Sequence, residues 1–161
     1  MTYKNNLFMD EMQALDLCAG IEMKCAEMYR KFEMLYADLP EIASLWRKTA
    51  MEEDNHAEQF KLAYRLRGKG IGEVKVDFEK IEVLIREMDT CMDKMQSTHP
   101  HPTNALSFAI HLECALSEFH MLNVVEFKDP ELSKLFAAMM NNDREHVTML
   151  ENALSKMVKI S

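Results

Sequence analysis

Glycine and proline are scarce in this sequence, four of each in 161 residues. Few helix breakers, beside plentiful Met, Leu, Ala, Glu and Lys, favour helix over sheet. The four cysteines, Cys18, Cys25, Cys91 and Cys114, form no Cys-x-x-Cys pair, which excludes a zinc ribbon or a rubredoxin-type iron site. No run of about 18 apolar residues occurs, so no membrane-spanning helix is expected. The opening MTYKNNLFMDEM lacks the apolar centre of an export signal. Free thiols without such a signal point to the cytoplasm. Positive charge is also short: the net charge is −8 and no basic patch invites nucleic acid.

What is present is a chain sized for one domain, 1–161, able to bury its own core. Its 15 methionines suit a core filled by flexible, polarizable side chains. Apolar residues at 3/4 spacing predict four long helices, over about 6–36, 40–67, 103–127 and 130–157. Pro40 and Pro130 each fit the first turn of a helix. Between the second and third long helices, 67–76 reads as a loop, 77–96 as a shorter amphipathic helix and 97–104 as a turn. Gly68, Gly70 and Gly72 have no strand before them and read as a flexible connector rather than a phosphate cradle. His99 and His101 alternate with Pro and read as an exposed turn. The expected fold class is all-α, a four-helix bundle with a long crossover connection carrying an extra helix.

The chain repeats itself. At a shift of 90, Pro40 meets Pro130, Leu45 meets Leu135, Glu53 meets Asp143 and His56 meets His146. At a shift of 91, Leu15 meets Leu106, Glu22 meets Glu113 and Glu27 meets Glu118. Two copies of a helical hairpin are therefore joined by the long connection.

Each long helix has one apolar face, and an acid interrupts each face near mid-helix. MEEDNH (51–56) and NNDREH (141–146) add a histidine three residues after the acid. Residues i and i+3 share a helix face. In an antiparallel bundle Glu22, Glu53, His56, Glu113, Asp143 and His146 then converge at one level of the core. Burying even one unpaired carboxylate costs several kcal/mol, and four together repel. No Arg or Lys is placed on these faces to neutralise them. Two divalent ions would supply about +4, and oxygen with imidazole donors suits Fe or Mn, and also Zn. Ferritin-like di-iron and di-manganese proteins use this donor set. A single acid-x-x-His is more often a surface pair; its recurrence in register, with an upstream acid in each half, is what separates this case from that one.

With these residues in view, the sequence resembles the rubrerythrin branch of the ferritin-like superfamily. AGIEMKCAEMY (19–29) is similar to the family's first helix, and EEDNHAEQF (52–60) to its Glu-x-x-His-Ala helix. The likeness covers roughly 7–67 and 104–157. It implies a cytoplasmic, homodimeric ferritin-like bundle with a non-haem di-iron site. It implies an oxidoreductase that reduces hydrogen peroxide or activates dioxygen. By motif position the ligands are Glu22, Glu53, His56, Glu113, Asp143 and His146. Glu53 and Asp143 each pair with the adjacent histidine, while Glu22 and Glu113 bridge or chelate. A ferroxidase feeding iron storage and a metal-binding bundle without turnover are the rival readings.

Three departures from the family pattern stand out. The last acid is Asp143 rather than Glu. The family's additional acid one turn after the third helix's ligand is Leu116 here, which bears on peroxide chemistry. The family's rubredoxin domain has no counterpart in the sequence, so electrons are expected from a separate protein.

Around the six residues, Tyr29 reads either as a donor to a ligand carboxylate or as a core-edge tyrosine. His120 reads as a further ligand or a rim histidine, and His111 as solvent-facing. Cys18 and Cys25 flank Glu22 and face inward, as thiolate ligands or, more simply, as small buried residues. Glu27 and Glu118 project sideways as surface pairs or an interface.

Overall fold

The computed structural model describes residues 6–67, 73–126 and 130–160. Within them five helices run in the order α1 (Glu11–Leu35), α2 (Pro40–Arg67), α3 (Phe78–Thr98), α4 (Pro102–Glu126) and α5 (Pro130–Ile160). They gather as a helical bundle in which α1 packs along α2 and α4 along α5. Among the described residues no helix is long and apolar enough to cross a membrane.

The helix boundaries follow local chemistry. α1 closes through the Tyr36 amide on the Phe32 carbonyl, and the chain turns on the Leu39 amide to the Tyr36 carbonyl. Pro40 and Pro130 each open a helix where a missing N–H costs nothing, and Glu41 and Glu131 follow in the first turns. α3 ends at His99, whose φ of 44° is left-handed and carries the chain into the start of α4. His101 Nδ1 lies 2.9 Å from Thr103 Oγ1 in that exposed turn. His99 and His101 therefore shape a corner, as their alternation with proline suggests.

Two stretches differ from the sequence reading. Residues Asn6–Asp10, expected as helix, form strand β1, and Glu73–Asp77, expected mostly as loop, form strand β2. The two pair antiparallel from Asn6 opposite Asp77 to Asp10 opposite Glu73. Each strand satisfies the other's backbone groups, an option that periodicity along either segment alone does not reveal. Gly68, Gly70 and Gly72 lie outside the described residues.

All five helices feed one core. α1 contributes Leu15, Cys18, Cys25, Met28, Tyr29 and Phe32; α4 contributes Leu106, Ala109, Leu112 and Leu116. Trp46 of α2 stacks on Tyr29 at 5.5 Å between ring centroids and meets the edge of Phe32 at 5.1 Å. α3 buries Ile81, Leu84, Met88, Met92 and Met95, a stripe at 3/4 spacing. It lies against α1 through sulfur: Cys25 Sγ is 3.8 Å from Met88 Sδ, and the Tyr36 hydroxyl is 3.8 Å from Met95 Sδ. His111 is exposed as expected, and its Nε2 reaches Glu87 of α3 at 3.0 Å.

Candidate metal centre

Among the described residues, the core is interrupted at one place by charge. Glu22, Glu53, Glu113 and Asp143 are all fully buried, and His56 and His146 nearly so, at 3% and 4% exposure. From α1, α2, α4 and α5, five of them, Glu22, Glu53, His56, Glu113 and His146, come together, and the Asp143 charge reaches Glu113. Thr49 is also buried, but its hydroxyl is satisfied by the Leu45 carbonyl of its own helix at 2.9 Å.

Among the described residues, two groups bring ligand atoms within 4.8 Å of one another: Glu22, Glu53 and His56, and Glu53, Glu113 and His146. Glu53 is common to both. His56 Nδ1 lies 3.3 Å from Glu53 Oε2. His146 Nδ1 lies 2.9 Å from Glu53 Oε1 and 3.5 Å from Glu113 Oε2. Despite these distances, both Glu53 oxygens, Glu113 Oε2 and the two Nδ1 atoms lack a partner in hydrogen-bond geometry. Buried polar atoms are almost always paired, so this donor set fits divalent cations: carboxylate oxygen with imidazole nitrogen, three protein donors to each position.

The geometry differs from the sequence expectation in who serves whom. The second group takes Glu53 where the 90-residue repeat suggested Asp143. Asp143 is one methylene shorter than Glu, and its buried carboxylate acts on Glu113 through charge. The shared position belongs to Glu53, whereas Glu22 and Glu113 each belong to one group.

Neighbouring residues hold the donors. The Tyr29 hydroxyl donates to Glu113 Oε1, from α1 to α4. Burial, then the Glu113 charge, pushes the Tyr29 hydroxyl well above its usual pKa and keeps it a donor. Burial pushes Glu113 above the ordinary carboxylate range, against the opposing pull of His146 and Tyr29. Burial alone would lower His146, but Glu113 and Glu53 outweigh it and raise the imidazole to about 11. Cys18 and Cys25 are fully buried, and burial, then Glu22, holds both thiols protonated. Neither joins a donor group, in keeping with small buried residues.

Two residues unremarked in the sequence complete the arrangement. His146 Nε2 donates to Glu52 Oε2 at 2.7 Å. His56 Nε2 meets Asn142 Nδ2 at 3.2 Å. Glu52 and Asn142 each precede the acid of their own helix, yet each holds the histidine of the other. A polar cleft between α2 and α5, lined by Glu52, Asn55, His56, Asn142, Glu145 and His146, opens onto the outer edges of both rings. The side chains of Glu118 and His120 lie outside the described residues, and Glu27 pairs with Lys31 on the surface at 3.2 Å.

Comparison with protein-family models, with curated proteins and with solved structures gives no match for this chain.

Proposed function

We propose that the chain is a ferritin-like di-metal protein resembling rubrerythrins, an oxidoreductase acting on peroxide or dioxygen with electrons from a separate donor protein. The observation that carries this reading is the pair of buried donor groups joined through Glu53, with five donor atoms unmatched by hydrogen bonds. A pair of iron ions held there would supply two-electron redox chemistry. Glu22 with His56, and Glu113 with His146, would hold one ion each, and Glu53 would serve both.

The remaining residues define how the chain supports that chemistry. Tyr29 fixes the Glu113 carboxylate by taking up its second oxygen. Glu52 and Asn142 orient the imidazoles from outside, as outer partners of metal-bound histidines do. The α2–α5 cleft admits a small oxidant, while the 0% exposure of the four acids keeps bulk water from their side of the centre.

Leu116 favours a second reading, a metal-binding bundle without fast turnover. It is fully buried on α4 one turn after Glu113, where the rubrerythrin pattern has a further acid, so it offers no oxygen for ligand exchange.

Anaerobic metal analysis of the purified full chain, followed by hydrogen peroxide added to the reduced protein, tests both readings. Two ions per chain with stoichiometric peroxide consumption is the expected result. Two ions without peroxide consumption favours the non-catalytic bundle, and less than one ion per chain sinks the di-metal centre.

A further inference from the structure

The two histidines are held by chemically unlike partners, and the difference bears on which ion binds first. His146 Nε2 faces Glu52 Oε2 at 2.7 Å. His56 Nε2 faces the Asn142 amide at 3.2 Å. In the repeat these are equivalent places, since Glu52 plus 90 is 142 and His56 plus 90 is 146. One half has kept a carboxylate there and the other an amide.

A carboxylate only accepts hydrogen bonds. It therefore keeps hydrogen on Nε2, so that a cation displacing the other proton meets His146 Nδ1 on the side facing Glu53 and Glu113. An amide both donates and accepts. When its Nδ2 faces the ring, Nε2 must accept, and the hydrogen sits on Nδ1, where it blocks ligation. His56 can serve a cation only with the amide turned so that Oδ1 accepts from Nε2. Glu52 also places a negative charge behind His146, which increases the donor strength of the ring, whereas Asn142 contributes none. Glu113 beside His146 is already fixed by Tyr29.

We infer that the centre is unequal and fills in order. A divalent cation enters first at Glu53, Glu113 and His146, and second at Glu22, Glu53 and His56, with Glu52 as the positioning residue that sets this order. The inference rests on the di-metal reading of the centre. Outer partners of this kind change metal affinity by roughly 10–100-fold, which is the separation expected between the two steps.

Anaerobic titration of the chelated full-length protein with Co2+, followed by calorimetry and by the visible absorption of the bound ion, tests it. Wild type is expected to bind in two resolved steps, with His146→Ala removing the tighter and His56→Ala the weaker. Glu52→Gln should weaken the first step about tenfold or more and leave the second in place. Asn142→Asp should instead tighten the second step. These opposite effects on separate steps are not produced by a general loss of structure, and the melting temperature of each chelated variant controls for folding. Two equal steps in wild type, or Glu52→Gln weakening both steps alike, would overturn the ordered filling while leaving the di-metal centre standing. Absence of Co2+ binding to wild type overturns both.

Discussion

Tyr29 on α1 and Glu113 on α4 are joined by a buried hydrogen bond, the hydroxyl donating to Oε1. Tyr29→Phe removes the donor and keeps the ring, so one carboxylate oxygen is left buried without its partner. Such a loss costs about 1–3 kcal/mol. For a chain of this length that lowers the melting temperature by roughly 2–4 °C per kcal/mol. Thermal melting of the chelated variant checks it; an unchanged midpoint contradicts the assigned role of the bond.

Glu53 belongs to both donor groups, Glu22 to one and Asp143 to neither. Equilibrium dialysis against Co2+ should therefore separate the three. Glu53→Gln is expected to drop below one ion per chain, Glu22→Gln to keep one, and Asp143→Asn to keep two. Equal losses in all three variants would show that the centre is not divided as the geometry divides it.

The pH dependence of the metal-free protein has a definite sign. Both Glu113 and His146 are raised above their ordinary values, 4.5 and 6.5. The folded state thus binds more protons than the unfolded chain, and stability falls as pH rises. The His146 contribution is fully present below about 6.5 and is lost as pH climbs toward about 11. Metal binding runs the opposite way, because the cation displaces those protons. Melting of chelated protein is expected to decline steadily from pH 6 to pH 9, while added Co2+ raises the midpoint most at the alkaline end. A chelated midpoint that rises over this range would contradict the pairing of His146 with Glu113 and Glu53.

The position of the six acids and histidines was readable from spacing, because a 90-residue repeat and an i, i+3 pair both survive as arithmetic on the sequence. Their partnerships were not. Whether His146 turns to Asp143 or to Glu53 depends on the length of one side chain and the rotation of two helices, neither of which leaves a periodic trace. Glu52 and Asn142 were hidden for another reason: each looks like one more polar residue beside an acid until α2 and α5 face each other. The β1–β2 ribbon was missed because its pairing joins segments separated by the whole of α1 and α2.

Gly20 offers a test of the helical scaffold apart from its chemistry. It sits in the interior of α1, is exposed, and a Cβ placed on it meets nothing within 4 Å. Gly20→Ala is expected to stabilise by about 0.5–1 kcal/mol through lower backbone entropy in the unfolded chain. A rise in urea midpoint without change in Co2+ stoichiometry is the expected outcome, and a lowered midpoint would contradict the helix there.

The aromatic stack gives the protein its own optical gauge. Trp46 is the single tryptophan of the chain. It lies face to face with Tyr29, whose hydroxyl grips Glu113. Any cation that draws on Glu113 therefore pulls on a phenol stacked against the one strong fluorophore. If the centre takes cations, emission from unlabelled protein is expected to report how full it is, readable in a crude titration before any activity is known.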